Sequence, residues 1–339
     1  MKTKILIILG PTATGKTKLA VKLAQKFNGE IVSADSRQVY KGMDIGSGKD
    51  LKEYGKIKYH LIDVVSPNTN FNVAKFQKFA YTAIDDIIKR KKLPIIVGGT
   101  GLYISAIVDG FVFPNQNTCK VRKNNYNPTL PLTPSAEGVR GRVILAQSNN
   151  NFSISSKITT TSPDQIRKKL NKLSPNQLLA RLKKIDPKTY ETTDIKNRRR
   201  VQRALEIYYL SGKPKSQQEK PNPRYDCLQI GINIPKEVIH KKIDKRLEQR
   251  LRGGAMTREV KNLHCKQKVR WKKLESFGLE YKWVSLYLQK KINYQEMKEN
   301  LAREIKQFSK RQMTWFKRDE RIVWESDVKG IKTLINDFL

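Results

Sequence analysis

Residues 10–17 read Gly10-Pro11-Thr12-Ala13-Thr14-Gly15-Lys16-Thr17. The run fits the pattern G-x-x-x-x-G-K-S/T, whose glycines let backbone N–H groups turn toward an anion. Residues 5–9 before it are uniformly apolar, as a strand buried on both faces requires, and residues 19–27 after it carry apolar side chains at helical spacing. This context predicts a phosphate-binding loop between a strand and a helix, with Lys16 at the outer phosphates and Thr17 holding Mg²⁺.

The charge of the chain is strongly unbalanced. Its 339 residues include 68 Lys and Arg against 31 Asp and Glu, which gives a net charge of +37. A phosphate loop alone does not need such an excess, so we expect a polyanionic partner, with nucleic acid ahead of a membrane surface. A generally lysine-rich surface is the alternative interpretation.

Cysteine content and hydropathy exclude several classes of protein. Cys119, Cys227 and Cys265 are too few and too scattered for a disulfide framework or a CxxC metal site. No segment of the sequence approaches the roughly 18 apolar residues of a membrane span, and the N-terminal apolar run is too short for a signal peptide. We therefore expect a cytoplasmic protein with no membrane partner.

Short apolar segments alternate with a helical pattern along the first hundred residues. The strand-like segments are residues 30–34, 59–65 and 94–97. Residues 73–92 have the periodicity of an amphipathic helix. This alternation predicts an α/β fold with a P-loop NTPase-like core, a parallel sheet flanked by helices. Ligands of such sheets bind at the carboxyl ends of the strands, where Asp35 and Thr100 follow.

The composition changes near residue 114. Residues 115–162 are rich in Asn, Ser, Thr and Pro, and we expect them to be irregular or partly disordered. Helical periodicity returns in residues 163–194, where Asp186-Pro187 is expected to close a small helical unit. Residues 114–194 are therefore predicted to form a helical insertion domain.

The catalytic core is predicted to comprise residues 1–113 and 195–339. Its second part carries an arginine-dense helix from residue 198, a strand at residues 227–234, and basic helices that end near residue 316. The core has no clear acidic residue after a second apolar strand; Asp63 is a weaker candidate. An ordinary ATPase is therefore a poor fit. With Asp35 and Thr100 at the strand ends, a transfer in which pyrophosphate leaves and a neutral nucleophile attacks suits the residues better.

Six motifs occur in a fixed order along the chain. They are GPTATGKT, SADSRQVY, GMDIGSGK, VGGTGLY, RVQRALEI and KRQMTWF. In this order they resemble the tRNA dimethylallyltransferases, also called the tRNA isopentenyltransferase family, over roughly residues 4–110 and 165–325. The resemblance implies transfer of a dimethylallyl group from dimethylallyl diphosphate to the exocyclic N6 amine of the adenosine 3′ of the anticodon in tRNA. It also implies a P-loop kinase-like core and a helical insertion that grips the anticodon stem.

The resemblance assigns catalytic roles to three residues. Asp35 matches the family aspartate that accepts the proton of the amine, and Thr100 the threonine that donates to the bridging oxygen of the diphosphate. Lys16, the amides of residues 10–17 and Mg²⁺ on Thr17 would neutralise the departing diphosphate. The alternative interpretations are a helix cap for Asp35 and a turn residue for Thr100.

The resemblance also implies a set of tRNA contacts. They are Asp35, Ser36, Arg37, Gln38, Thr100, Arg199, Arg200, Val201, Gln202, Arg203 and Arg246. Residues 310–312 match the family's basic C-terminal signature, although a solvated helix face explains any single basic residue equally well.

Several segments depart from the family pattern. Residues 45–50 read I-G-S-G-K-D in place of the commoner I-G-T-A-K-P, and residues 277–281 carry two extra residues where many members read L-G-Y. Residues 115–162 do not resemble the family's insertion domain.

Three other functions stay open from the sequence. A prenyltransferase for free adenine nucleotide shares the loop and the aspartate, but needs no such basic surface. A small-molecule kinase lacks a recognisable lid-type arginine cluster here. A non-prenylating P-loop ATPase that binds RNA would not depend on Asp35. Nothing in the sequence requires a partner chain, so a monomer is expected.

Overall fold

The computed structural model of the chain describes residues 2–113 and 163–339. The chain divides into two compact units, which are described separately below. The first unit comprises Met1–Phe111 and Pro221–Leu339, and the second comprises Val112–Lys220.

The first unit is built on a parallel sheet, which in the described residues has six strands. They are β1 (Thr3–Leu9), β2 (Gly29–Ser33), β3 (Tyr59–His60), β4 (Leu93–Gly98), β5 (Tyr225–Gly231) and β6 (Ile322–Trp324). Their order across the sheet is β3-β2-β4-β1-β5-β6, and every neighbouring pair is parallel. Thus β2, β4 and β1 are neighbours, and their carboxyl ends meet at one edge.

The helices follow in chain order. Those of the first unit before the insertion are α1 (Lys16–Lys26), α2 (Val73–Lys89) and α3 (Gly101–Val108). Those of the second unit are α4 (Pro163–Asn171), α5 (Pro175–Ile185), α6 (Pro187–Thr192) and α7 (Arg198–Ser211). The first unit then continues with α8 (Lys236–Leu251), α9 (Ala255–Cys265), α10 (Trp271–Ser276), α11 (Leu279–Leu288), α12 (Tyr294–Phe316) and α13 (Val328–Phe338).

Strand β1 is buried on both faces because helices cover both sides of the sheet. Ile5 and Ile7 belong to one apolar cluster with residues of α2 and α3. Leu6 and Ile8 point the other way, into a cluster with residues of α1 and α13. A third cluster joins α8 to α12 with Val39 and its neighbours, which packs this helical layer beside the segment after β2. The predicted α/β class is confirmed.

The second unit extends further than the sequence predicts. The core was expected to resume at residue 195, but Val201 and Leu205 of α7 pack with Leu170 of α4 and Leu178 of α5. Because these apolar side chains have their partners in the second unit, that unit includes α7 and ends at Lys220. The segment expected to be irregular, residues 115–162, lies outside the described residues.

Three local predictions differ from the structure. Strand β3 stops at His60, instead of continuing to residue 65, because Leu61 and Asp63 have positive φ angles of 64° and 56°. Asp186 does not only end α5, since its side chain accepts from Thr189 N–H and caps α6. Strand β6 and helix α13 follow the last predicted helix. No helix in the described part of the chain is long and apolar enough to cross a membrane.

A buried carboxylate stands at the start of β2. The Glu30 side chain is 1 % exposed and contacts three basic side chains. Arg90 donates to both carboxylate oxygens, His60 Nε2 lies 2.8 Å from Oε2, and Lys92 Nζ lies 3.2 Å from Oε1. The Arg90 hydrogen bonds lower the pKa of Glu30 to about 2, against the opposing effect of burial. The hydrogen bonds from His60 and Lys92 contribute to the same lowering.

We predict that Glu30→Gln lowers the free energy of unfolding by about 2 kcal/mol at pH 7, because Arg90 loses its charged partner. A carboxyl whose folded pKa is depressed stabilises the fold above its unfolded value of 4.5 and loses this effect toward its folded value of about 2. The difference between wild type and variant, measured by urea unfolding, should therefore shrink as the pH falls through this window. Asp86→Asn, which removes an exposed partner of Arg90, is the control and should change little. A pH-independent difference would contradict the electrostatic explanation.

Candidate active site

Three sequence motifs meet at the carboxyl edge of the sheet. The phosphate loop follows β1, the Asp35 turn follows β2, and Gly99 and Thr100 follow β4. Since these strands are neighbours, the three segments surround one cavity of about 290 Å³, which Lys16, Asp35 and Gly99 help to line.

The phosphate loop has the predicted conformation. Gly15 has a φ of 83°, in the left-handed region that favours glycine, and precedes the first turn of α1. The Thr14 hydroxyl donates to Pro11 O at 2.9 Å, which closes the loop. Gly15, Lys16 and Thr17, at the start of α1, line the cavity, and the N-terminus of a helix favours an anion.

Lys16 lies inside this loop. Its ammonium donates to Pro11 O at 2.5 Å and to Thr14 Oγ1 at 3.4 Å. The pKa of Lys16 is lowered to about 7, mainly by burial and then by the charge of Arg246, while Asp35 acts in the opposite direction. A second negative charge in the cavity would favour the protonated lysine.

Arg246 of α8 reaches the phosphate loop. The sequence predicts it as a tRNA contact, but its guanidinium donates to Thr12 Oγ1. Burial and the charge of Arg250 lower the pKa of Arg246 to about 10. Lys242, Arg246 and Arg250 are four residues apart on α8 and all line the cavity, so one helix face presents three cations to it.

Asp35 is held by the turn that follows it. Its Oδ1 accepts from the N–H groups of Arg37 at 2.8 Å and Gln38 at 3.3 Å. Within the described residues no hydrogen bond reaches Oδ2. The turn therefore fixes the carboxylate through one oxygen and leaves the other available at the cavity, whereas the alternative of a helix cap does not apply because no helix follows.

Thr100 is tied to the same turn. Its Oγ1 accepts from Ser36 N–H at 3.1 Å, and its own N–H donates to Ala34 O at 3.3 Å. Because the hydroxyl oxygen acts as acceptor here, its proton can be donated elsewhere. Thr100 caps no amide of α3 with its side chain.

Two predicted tRNA contacts have partners within the protein. Arg37 donates through Nε and Nη2 to Phe277 O, at 3.0 and 2.8 Å. Gln38 accepts from the Ser33 hydroxyl at 2.8 Å and donates to Gly48 O at 3.2 Å. Both side chains thus hold walls of the cavity together, and their contact with RNA stays a prediction.

Gln312 joins two loops of the site, a role that its sequence motif did not reveal. Its Oε1 accepts from Thr12 N–H at 2.9 Å, and its Nε2 donates to Gly99 O at 2.7 Å. A side chain at Gly99 would put Cβ 2.3 Å from Gln312 Nε2. The glycine motif and the C-terminal motif are therefore in direct contact.

Lys49 does not face the cavity, although the sequence places it in a glycine-bearing loop. Its side chain is buried, and Nζ donates to Tyr40 O at 2.6 Å, Asp44 Oδ1 at 2.9 Å and Asp63 Oδ1 at 2.5 Å. The weaker candidate for an acidic ATPase residue, Asp63, is thus engaged in a structural ion pair.

The arginine-dense helix α7 belongs to the second unit, and its residues differ in exposure. Arg199 and Arg200 are exposed. Arg203 pairs with Glu206 at 3.1 Å, and Gln202 donates to Asn171 Oδ1 at 3.0 Å. Val201 is 1 % exposed, so the prediction that its side chain contacts tRNA does not fit the structure.

The fold and the cavity define a P-loop-type α/β protein with several cations and a carboxylate around one cavity. A family model described as IPP transferase matches residues 38–132 and 144–319. The chain belongs to the IPP transferase family, and it is a transferase.

Individual relatives support this. A protein of Syntrophus aciditrophicus named tRNA dimethylallyltransferase 1 is 39 % identical over 332 residues, which is 96 % of this chain and 94 % of the relative. The crystal structure of a full-length tRNA isopentenylpyrophosphate transferase from Bacillus halodurans is 30 % identical with a TM-score of 0.64, covering 99 % of this chain and 97 % of that chain. A eukaryotic dimethylallyltransferase acting on tRNA is 26 % identical with a TM-score of 0.72, covering 99 % and 77 %.

We predict that binding of pyrophosphate at pH 8 takes up about one proton at Lys16, because the free amine becomes charged beside the anion. Calorimetry in buffers of different ionisation enthalpy measures this uptake. Lys16→Arg is the matched variant, since arginine stays protonated. As the pH rises from about 6 to about 9, the affinity of this variant for pyrophosphate should fall less than that of wild type. Equal pH dependence in the two proteins would exclude Lys16 as the titrating group.

Proposed function

We propose that the chain transfers a dimethylallyl group from dimethylallyl diphosphate to the N6 amine of the adenosine 3′ of the anticodon in tRNA, releasing diphosphate. The observation that carries this proposal is one cavity with buried cations at the phosphate loop and the free oxygen of Asp35 beside them. Membership of the IPP transferase family supports it.

The diphosphate is proposed to lie against the phosphate loop. Lys16 and Arg246 are both desolvated and both lack a carboxylate within ion-pair distance in the described residues, so an anion between them restores their charge balance. As the bond between the prenyl carbon and oxygen breaks, negative charge grows on the diphosphate. Fixed cations and amides that already point at the leaving group stabilise that charge more than water does, because they need not reorganise.

Asp35 is proposed to accept the proton of the adenine amine. The exocyclic nitrogen becomes nucleophilic only as its proton leaves, since its lone pair is otherwise delocalised into the ring. Two backbone N–H groups fix Oδ1 and thereby aim Oδ2. No reorganisation of the carboxylate is then needed at the moment of reaction.

Thr100 is proposed to donate its hydroxyl proton to the bridging oxygen of the diphosphate. The hydrogen bond from Ser36 N–H orients the hydroxyl oxygen and leaves that proton free. Because Ser36 follows Asp35 directly, the group that assists departure and the group that accepts the proton are joined through one backbone segment.

A magnesium ion is proposed at the loop, with Thr17 as its protein ligand. Thr17, Asp50 and Glu53 bring hard oxygen atoms to the same cavity. Mg²⁺ keeps several waters and binds largely through phosphate oxygens, so it needs few protein ligands. When bound, the ion would neutralise part of the charge of the diphosphate.

The tRNA is proposed to be the anionic partner of a chain with net charge +37. A free adenine nucleotide would not require this charge, and an RNA-binding ATPase would not require Asp35 at the cavity. The monomeric state and the cytoplasmic location stay predictions.

The test is transfer of labelled dimethylallyl groups to an anticodon stem-loop RNA, with AMP as a competing acceptor. We expect label on the RNA alone. Asp35→Asn, which keeps an oxygen for the Arg37 and Gln38 amides, should lower turnover by roughly 10²–10⁴-fold with RNA affinity nearly unchanged. Unchanged turnover would exclude Asp35 as the base.

Other outcomes identify the alternatives. Label on AMP would indicate a free-nucleotide prenyltransferase, and ATP hydrolysis without label transfer would indicate the RNA-binding ATPase.

We further predict that tRNA affinity falls steeply with added salt, and that Arg199→Ala with Arg200→Ala reduces the slope of log K against log salt by about 2. Filter binding at salt concentrations between about 50 and 200 mM measures this slope. The matched control removes two exposed cations of α1, Lys22 and Lys26. If both double variants weaken binding equally, the effect reflects general charge and α7 holds no specific contact.

A further inference from the structure

One wall of the cavity is a thin loop between two open spaces. Gly46, Ser47 and Gly48 line the cavity on one side. On the other side Asp44 and Ile45 line a groove of about 510 Å³ that opens next to α9. Met43 and Ile45 pack against the apolar cluster of α8 to α12. The residues that border the two spaces also make polar contacts, and these help to determine how far the loop stands from the phosphate loop.

Glu259 of α9 makes these contacts. Its Oε2 accepts from Asp44 N–H at 3.0 Å and from Ile45 N–H at 2.6 Å, and its Oε1 accepts from Gly46 N–H at 3.2 Å. Three successive amides thus converge on one carboxylate. Hydrogen bonds to an ionised acceptor are about twice as strong as those between neutral groups, so Glu259 holds these three amides firmly.

Tyr281 supports the carboxylate from behind. Its hydroxyl donates to Glu259 Oε1 at 2.9 Å, and the side chain is completely buried. The ring also lies against Gly46, where a Cβ would stand 2.7 Å from Tyr281 Cζ. The loop therefore presses on a rigid surface that fixes the carboxylate and the backbone together.

Other contacts also hold the loop: Gln38 Nε2 donates to Gly48 O at 3.2 Å, and Arg250 Nη1 donates to Gly46 O at 3.5 Å. Gly48 N–H donates to Ile45 O at 3.2 Å and Lys49 N–H to Asp44 O at 3.0 Å, which sets the internal shape of the turn. The Lys49 ammonium anchors its base. Glu259 attaches the first half of the turn to α9.

We propose that Glu259 is a positioning residue of the transferase: by holding the amides of residues 44–46, it sets the wall of the cavity that receives the diphosphate. It does not touch the reacting atoms. Its effect is on binding of the diphosphate, because an outward shift of the loop would widen the cavity. The expected effect on catalysis rests on the proposed function. The effect of Glu259 on the position of the loop does not.

The decisive variant is Glu259→Gln, which keeps the size of the side chain but removes the charge and turns one acceptor into a donor. We expect the affinity for inorganic pyrophosphate to fall about tenfold, as loss of one charge-assisted hydrogen bond predicts. The KM for dimethylallyl diphosphate should rise by about the same factor, while tRNA affinity and kcat change less than about twofold.

Two further variants test whether the effect comes from the hydrogen bonds of Glu259 to the loop, from the loss of a negative charge in general, or from the contact with Tyr281. Glu248→Gln removes a carboxylate of α8 that is 67 % exposed and pairs loosely with Lys298 at 3.9 Å, so pyrophosphate affinity should not change. Tyr281→Phe removes one donor to Glu259 and leaves the three amides in place, so we expect less than about a threefold effect.

Hydrogen exchange of the free protein tests the structural part without any assay of activity. In Glu259→Gln the amides of residues 44–46 should exchange faster than in wild type, while those of β1 keep their protection. Unchanged exchange together with unchanged pyrophosphate affinity would overturn the inference. An equal loss of tRNA and pyrophosphate affinity would also overturn it, since that indicates general destabilisation. If wild type transfers no label but the exchange and pyrophosphate results hold, the proposed function fails and the positioning role stands.

Discussion

The close approach of α12 to the loop after β4 is the constraint around which the site is built. A Cβ at Gly99 would stand 2.3 Å from Gln312 Nε2, and one at Gly101 would stand 2.2 Å from Trp315 Cδ1. Glycine at both positions lets the helix come near enough for Gln312 to bind the Gly99 carbonyl and the Thr12 amide together. Two loops from neighbouring strands thereby have a fixed separation.

This geometry concentrates positive charge that the protein itself does not balance. Lys16 and Arg246 both have lowered pKa values, with burial as the main cause and a neighbouring cation as the next. The site therefore carries an electrostatic cost in the free protein. An anionic substrate removes that cost, and the growing charge on a leaving group removes more of it. Asp35 is near enough to raise the pKa of Lys16, which couples the two ends of the cavity.

The sequence predicted the sheet, the phosphate loop and the placement of Asp35 and Thr100, because these depend on local periodicity and on strand ends. It did not predict that Arg37 binds the Phe277 carbonyl, 240 residues away, or that Glu259 holds the amides of residues 44–46. Such contacts depend on how the later helices pack on the early loops, which no local pattern encodes. The predicted tRNA contact of Val201 does not fit the structure for a related reason. A motif marks a segment of the chain, and only packing shows which of its side chains are buried.

The departure of residues 45–50 from the family pattern also becomes intelligible. Gly48, where alanine is commoner, has a φ of 70°, and a Cβ there would stand 2.4 Å from Arg250 Nη2. Glycine thus admits the Arg250 guanidinium to the cavity wall. Asp50, where proline is commoner, lines the same cavity, and its charge raises the pKa of Arg246. Gly48 thus makes room for a cation of the cavity wall, and Asp50 places an anion near Arg246. Neither residue is one of the proposed catalytic groups.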